Sequence, residues 1–276
     1  MDLMSRRQSG VSKVALAVAL VLAACGSLAG DGGGERDGGY WRSYVTDTRE
    51  MVTSPGRWSG REWMGAAAVL GVTAGLYAWD QDIQESAQAA RDASTDRLAA
   101  FAGHFGDGTY TLPMLGAFYL WGQTGRDNRA RDTAMLGLES FVISGLFTQA
   151  IKFTGHRHRP SSGDSSREWD GPGFSGENVS FPSGHATAAF AVMTVVASEY
   201  SEHRWVPPVA YGLATLCAWS RVNDNEHWAS DVFAGSAIGY FTAKAVLGQH
   251  RGEPGGFGVC ESSSQSCPLV ALTKAF

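Results

Sequence analysis

The chain has 276 residues and a formal net charge of −5 at pH 7, with 44 % hydrophobic and 18 % charged residues. This length suffices for one large domain or two small ones. The mildly acidic balance argues against nucleic acid as a partner, because domains that bind nucleic acid carry basic surfaces.

The first 24 residues have the organisation of a secretory signal peptide. Basic residues precede an apolar run over residues 14–24, which is too short to favour a membrane-spanning helix. The sequence Leu22-Ala23-Ala24-Cys25 is similar to the bacterial lipobox, in which the cysteine is lipidated; the alternative is an ordinary signal peptide with an incidental cysteine. We therefore predict export and membrane anchoring by lipidated Cys25, in the periplasm or on the cell surface.

Cleavage before Cys25 removes three basic residues and one acidic residue, so the net charge changes from −5 to −7. Residues 26–39 are rich in Gly and Asp and predict a flexible tether. Residues 40–57 add aromatic and charged side chains and predict an ordered lead-in. We expect a lipidated N-terminus, tether and lead-in over residues 25–57, a helical domain over 58–250 and a tail over 251–276.

The remaining cysteines predict no metal centre. Cys260 and Cys267 bracket six polar residues in the tail, which suggests a small disulfide loop in an exported protein. Cys217 lies in an apolar segment, where a buried free thiol is expected. The sequence contains no Cys/His set with zinc spacing.

Helical patterns predominate between residues 58 and 250, and they predict an all-α helical bundle. Gly155 is expected to end one helix as a left-handed cap, and Gly235 and Gly239, four apart, predict close helix contact. The mean hydropathy of −0.13 favours a soluble bundle tethered by lipid over spanning helices. The predicted helices cover residues 63–79, 80–91, 96–105, 109–121, 129–154, 183–200, 205–222 and 225–248.

Three stretches between residues 150 and 235 contain histidine, hydroxyl and cationic residues at distinctive spacing. In order and spacing they resemble the signature of the type 2 phosphatidic acid phosphatase and vanadium haloperoxidase superfamily. The matching residues are Lys152, Arg159, Pro160, Pro182, Ser183, Gly184, His185, Ser220, Arg221, His227 and Asp231.

The residue types also indicate phosphate chemistry without the resemblance. Positive charges stabilise a phosphoryl group in transfer, and Lys152, Arg159 and Arg221 supply three. Ser183 and Gly184 stand where a loop enters an apolar run, which predicts a helix N-terminus that suits a phosphate. Four-residue spacing predicts that His227 and Asp231 share one helix face, so that Asp231 orients the imidazole of His227.

The resemblance implies a metal-independent phosphatase that hydrolyses a phosphomonoester or pyrophosphate, with a lipid phosphate favoured, through a phosphohistidine intermediate. It implies that His227 is the nucleophile, oriented by Asp231, and that His185 protonates the leaving oxygen. Lys152, Arg159, Ser183, Gly184 and Arg221 would bind the phosphate. No cofactor is implied, and vanadate is expected to inhibit.

Several alternatives remain open at the level of the sequence. They are an acid phosphatase or phosphotransferase for small soluble phosphoesters, a haloperoxidase with vanadate as cofactor on His227, and a non-catalytic lipoprotein of the same fold. The expected partners are a phosphorylated lipid or small organic phosphate and, through the lipid, a membrane. The loop over residues 156–181 is predicted to form a rim or lid, with His156 and His158 at the pocket mouth.

Overall fold

The computed structural model describes residues 37–173 and 178–251, with side chains from residue 42 onward. Cys25, Cys260 and Cys267 lie outside the described residues, as do most of the predicted tether and tail. The described part is helical and contains no strand, which confirms the all-α prediction. Its helices are α1 (Asp37–Thr53), α2 (Gly60–Ala89), α3 (Ala93–Gly103), α4 (Gly108–Gly125), α5 (Asn128–Gly155), α6 (Gly184–Glu199), α7 (Val206–Asn223) and α8 (Ala229–His250).

Aspartate side chains begin three successive helices. Asp92, Asp107 and Asp127 accept hydrogen bonds from free backbone amides in the first turns of α3, α4 and α5. Each such cap stabilises a helix by about 1 kcal/mol. The connections before α3, α4 and α5 are short. Of these helices, α4 packs against α5, whereas α3 packs against α7.

Helix α6 is the centre of the bundle and packs against α5, α7 and α8. Most of its side chains are buried and small, chiefly alanine, valine and threonine, so the neighbouring helices approach closely. A Cβ added at Gly235 would lie 2.4 Å from the Ser183 carbonyl oxygen, and one at Gly239 would lie 2.2 Å from that of Thr187. The predicted close contact at these two glycines is confirmed.

Two of the predicted helix ends are wrong. Helix α2 runs through Asp80 without a break, because that carboxylate is fully buried and pairs with Arg157 at 2.7 Å instead of facing water. At the end of α5, the left-handed residue is His156 with φ 47°, and Gly155 remains helical. Gly155 serves close packing, since an added Cβ would lie 2.7 Å from the ring of Trp169.

Uncharged apolar faces of α2 and α4 point outward. Trp63, Leu70 and Trp79 on α2 and Trp121 on α4 are each more than half exposed. Residues 63–79 and the whole of α4 contain no charged side chain. Among the described helices, α5 alone is long and apolar enough to cross a membrane, and 44 % of its most apolar window is buried within the bundle.

Candidate active site

The three motifs meet at one end of the bundle. Lys152 lies in the last turn of α5 and Arg221 in the last turn of α7, while Ser183 immediately precedes α6 and Asp231 lies in the first turn of α8. Successive helices run in opposite directions, so the C-terminal ends of α5 and α7 adjoin the N-terminal ends of α6 and α8. The fold therefore brings together residues separated by up to about 80 positions in sequence.

A cavity of about 420 Å³ opens between these helix ends. Three guanidinium groups, two imidazoles and two carboxylates surround it. The lining residues are Arg91, Arg159, His185, Arg221, Asp224, Glu226 and His227. This combination of cations and imidazoles suits an anionic ligand that exchanges protons with its site.

His227 does not share a helix face with Asp231, contrary to the sequence prediction. Helix α8 begins only at Ala229, because the Asp231 carboxylate accepts a hydrogen bond from the Trp228 amide at 3.0 Å. His227 Nδ1 lies 3.8 Å from Asp231 Oδ2, which is too long for a hydrogen bond. The Ser180 hydroxyl lies between them, 3.4 Å from His227 Nδ1, and it donates to Asp231 Oδ2 at 2.5 Å.

Asp231 also belongs to a buried ion network that was not predicted from the sequence. The guanidinium of Arg157, 0 % exposed, donates to Asp231 Oδ1 at 2.5 Å and to Asp80 Oδ2 at 2.7 Å. Ser230 donates its backbone amide to Asp80 Oδ1 at 2.9 Å. All four carboxylate oxygens of Asp80 and Asp231 accept hydrogen bonds. Asp80 on α2 holds Arg157, and Arg157 in turn fixes the orientation of Asp231.

Two of the predicted phosphate-binding arginines pair with carboxylates at the cavity wall. Arg159 contacts Glu226, and Arg221 donates to Asp224 Oδ2 at 2.7 Å. Gly103 makes room for Arg221, since an added Cβ would lie 2.4 Å from its Nη2 atom. These carboxylates hold both guanidinium groups at the cavity.

The predicted phosphate-binding residues Lys152, Ser183 and Gly184 do not line the cavity themselves. Ser183 precedes α6 as predicted, but its hydroxyl does not cap the helix; it is buried and has no hydrogen-bond partner. A Cβ added at Gly184 would meet nothing within 4 Å. Lys152 is buried behind the loop entering α6, and its Nζ donates to the Val179 carbonyl.

Burial determines the protonation of the site. It lowers the pKa of His227 to about 3 and, with the charge of Arg221, that of His185 to about 4. Burial and then the charge of Arg159 lower the pKa of Lys152 to about 7. Burial acts to raise the pKa of Asp231, but His227 and Arg157 hold it below its ordinary value. At neutral pH both imidazoles are neutral and Asp231 is ionised.

Two histidines that were expected at the pocket mouth lie elsewhere. His156 is buried with its Nδ1 3.0 Å from the Gly171 carbonyl oxygen, and His158 lies between Asp164 and Asp170. Both therefore hold the loop after α5 and do not line the cavity. Within the described residues, no three His, Cys, Asp or Glu side chains at this end have the spacing of metal ligands.

Three further cavity residues were not predicted from the sequence: Arg91, Asp224 and Glu226. Asp224 and Glu226 lie between two motif residues, Arg221 and His227, so their position in the sequence was the available signal. Arg91 follows α2 and reaches the site only through the tertiary fold. No local pattern in the sequence distinguishes it from a surface arginine.

Comparison with known proteins agrees with this geometry. The sequence profile of the PAP2 superfamily matches residues 133–253, which include all three motifs. The chain is 44 % identical over 61 residues to a lipid A 1-phosphatase from Porphyromonas gingivalis, covering 22 % of this chain and 14 % of that protein. It is 33 % identical over 120 residues to a PA-phosphatase related-family protein from Dictyostelium discoideum, covering 38 % and 44 %. The chain thus spans less than half the length of either curated relative.

A solved structure shares the fold. It is a transmembrane PAP2-type phosphatidylglycerolphosphate phosphatase from Bacillus subtilis, with a TM-score of 0.51 and 21 % identity, covering 67 % of this chain and 96 % of that one. The all-α architecture and the convergence of the three motifs accompany this profile match over residues 133–253. Residues 133–253 of this helical domain are thus similar to the PAP2 superfamily.

Proposed function

We propose that this protein is a metal-independent phosphatase that hydrolyses a phosphomonoester or pyrophosphate through a phosphohistidine at His227. The observation that carries the proposal is a cavity at which three arginines and two neutral imidazoles converge. PAP2 phosphatases work without a metal. In this site the cationic side chains perform the charge stabilisation that a divalent ion supplies elsewhere.

Phosphate binding is assigned to Lys152, Arg159 and Arg221 together with the start of α6. The guanidinium groups hold the equatorial oxygens, on which negative charge spreads during transfer. The unpartnered hydroxyl of Ser183 and the free amides at the helix N-terminus beside Gly184 complete the cradle.

His227 is assigned the nucleophilic attack because its imidazole is neutral and oriented. The Ser180 hydroxyl and Asp231 lie on the Nδ1 side, which leaves the Nε2 lone pair to attack phosphorus. The Nε2–P bond forms while the bond from phosphorus to the leaving oxygen breaks. The phosphorylated imidazole becomes cationic, and the ionised Asp231 stabilises it through Ser180. Water then attacks phosphorus and releases His227.

His185 is assigned the proton transfer to the leaving oxygen. Burial and the charge of Arg221 lower the pKa of this imidazole to about 4, so His185 starts neutral at pH 7. A bound phosphate dianion offsets the charge of Arg221 and raises that pKa, which allows the site to bind substrate and proton together. In the second step His185 takes a proton from the attacking water.

Arg157 is assigned a positioning role. It contacts neither the cavity nor the reacting atoms, but it fixes Asp231 Oδ1 and so the hydroxyl that orients His227. Arg157→Lys keeps the charge but cannot donate to Asp80 and Asp231 at once with the geometry of a guanidinium. We therefore expect a larger decrease in kcat than change in KM.

The test of the nucleophile is chemical trapping. Wild-type protein, quenched during turnover of a labelled phosphoester, should retain acid-labile, base-stable phosphate, and His227→Ala should retain none and lose turnover. His203→Ala, at an exposed histidine in the connection between α6 and α7, serves as the matched control. Turnover by His227→Ala within about tenfold of wild type contradicts the assignment.

We further propose a phosphorylated lipid as substrate, with the protein exported and anchored to a membrane through Cys25. One curated relative is a lipid A 1-phosphatase and the solved structure of the same fold is a phosphatidylglycerolphosphate phosphatase. The uncharged exposed faces of α2 and α4 also suit contact with lipid. Released phosphate from a panel of lipid phosphates, pyrophosphates and soluble phosphoesters tests the substrate class. Faster turnover of the soluble compounds contradicts it, and transfer of phosphate to an added alcohol identifies a phosphotransferase.

Cys25→Ser tests the anchor. The variant should leave the membrane fraction, keep its activity on a soluble phosphoester and lose activity on a lipid phosphate embedded in vesicles, because the surface concentration of enzyme falls. A variant that resists carbonate washes shows that the helical domain itself holds the membrane.

A further inference from the structure

The end of the bundle opposite the active site holds a second cluster of ionisable side chains. Asp47 on α1, Glu139 on α5 and His250 at the end of α8 meet there. At 1.5 Å per residue, α8 separates His250 from Asp231 by about 28 Å. The cluster is therefore remote from the phosphate chemistry proposed above.

The three side chains are arranged around a common centre. One ligand atom from each lies within 4.8 Å of the others. His250 Nε2 is 3.0 Å from Glu139 Oε2 and 3.6 Å from Asp47 Oδ2. The Ser43 hydroxyl donates to the other oxygen of Glu139 at 2.7 Å and so fixes the orientation of that carboxylate, as partners of metal ligands commonly do.

The cluster is short of a partner for one buried oxygen. Asp47 is only 4 % exposed and Glu139 is fully buried. Thr46 donates to Asp47 Oδ1 at 3.3 Å, but Asp47 Oδ2 accepts no hydrogen bond and points toward His250. A buried carboxylate oxygen without a donor is unfavourable, so the site is suited to a ligand that binds this atom.

The cluster is also short of positive charge. Two carboxylates face a single imidazole, which leaves one net negative charge even when His250 is protonated. The nearby ionisable groups, Asp132 on α5 and Glu50 on α1, are acidic, and the exposed carboxylate of Glu50 already pairs with Arg57. A cation would supply the missing charge and the missing partner at once.

We propose that Asp47, Glu139 and His250 bind a divalent first-row cation, Zn²⁺ or Mn²⁺. One imidazole nitrogen and two carboxylate oxygens suit these ions, whereas Mg²⁺ and Ca²⁺ prefer oxygen ligands alone. Binding requires the neutral form of His250, whose Nε2 then offers a lone pair in place of a proton. The ion ties α1 to α5 and α8 and stabilises the folded chain without entering catalysis.

Calorimetric titration of the metal-free, full-length chain tests the site. One equivalent of Zn²⁺ or Mn²⁺ should bind at pH 7, and Asp47→Asn should weaken this binding by more than about tenfold. Glu50→Gln, an exposed acidic residue on the same helix, is the matched control and should bind as wild type does. Absence of binding, or equal binding by Asp47→Asn, overturns the proposal.

Pulsed EPR of bound Mn²⁺ gives a second measurement that does not depend on how well Asp47→Asn folds. Wild type should show coupling to one imidazole nitrogen, which His250→Gln should lose and the surface variant His203→Gln should keep. Bound Mn²⁺ without nitrogen coupling in wild type overturns the assignment. Chelation should lower Tm and leave kcat unchanged, which separates this site from the proposed phosphatase site.

Discussion

The two buried clusters of ionisable groups, at opposite ends of the bundle, differ in how their charges are compensated. At the active-site end, every oxygen of Asp80 and Asp231 accepts a hydrogen bond, and the guanidinium of Arg157 is always charged. At the far end, two carboxylates share one partly exposed, titratable imidazole, and one oxygen of Asp47 has no donor.

This difference shows in the carboxylate pKa values. Burial and then the charge of Glu139 raise the pKa of Asp47 to about 6, whereas Arg157 and His227 hold that of Asp231 below its ordinary value. A buried carboxylate thus stays reliably ionised only where a fixed cation and several donors surround it. The active-site end meets this condition, and the far end is suited to acquire a cation.

The largest expected effect comes from removing the fixed cation. Arg157→Met leaves Asp80 and Asp231 facing each other without compensation, so the free energy of unfolding should fall by about 3–5 kcal/mol. Asp47→Asn in metal-free protein removes an uncompensated charge and should cost less than about 1 kcal/mol. Urea denaturation of both variants measures the contrast. Equal losses would show that the two ends do not differ in the way described.

Much of the helical bundle could be predicted from the sequence, because helical periodicity and aspartate caps are local signals. The three motifs were also recognisable, since their spacing is set by the chain around each helix end. The continuity of α2 was not, because Asp80 in an apolar run indicates a helix end unless its buried partner is known. That partner, Arg157, lies 77 residues away.

The geometry around His227 could not be predicted from spacing alone. A four-residue interval indicates a shared helix face only if both residues are helical, and Asp231 instead caps a helix that starts after His227. The Asp47, Glu139 and His250 cluster spans almost the whole described chain. Its members come together only when three helices pack, so no local pattern reveals it.

The next largest effect is expected from disturbing the packing of α8, the helix that connects the two clusters. A Cβ at Gly239 would lie 2.2 Å from the backbone carbonyl of Thr187, so Gly239→Ala should push α8 from α6 and cost about 1–3 kcal/mol, with reduced turnover. Gly248→Ala, on the same helix with nothing within 4 Å, should stabilise the protein by about 0.5–1 kcal/mol. Thermal unfolding and phosphatase assays compare them. Normal turnover by Gly239→Ala would show that close packing does not position the site.

A smaller effect concerns Lys152, a titratable cation at the active-site end. Because the pKa of Lys152 is lowered to about 7, its ammonium is charged below that pH and neutral above it. Inhibition by sulfate, whose charge is constant between pH 6 and 9, should weaken as the pH rises through 7, by up to about tenfold per pH unit. Lys152→Arg stays charged and should flatten this dependence. A wild-type inhibition constant that is constant over this range contradicts the lowered pKa.

The smallest expected effect lies at the cavity rim. There each charged side chain has a partner of opposite charge, but exposure to water weakens the ion pair. Glu226 pairs with Arg159, and the two side chains are 40 % and 26 % exposed, so the pair is worth at most about 1 kcal/mol. Glu226→Gln frees the guanidinium for phosphate and should lower KM by up to about fivefold with kcat unchanged. Steady-state kinetics on one phosphoester measures this, with Glu168→Gln, an exposed acid in the neighbouring loop, as control. A raised KM would mean that Glu226 holds Arg159 in its binding position. The carboxylates of the rim would then position functional groups, as the buried carboxylates do.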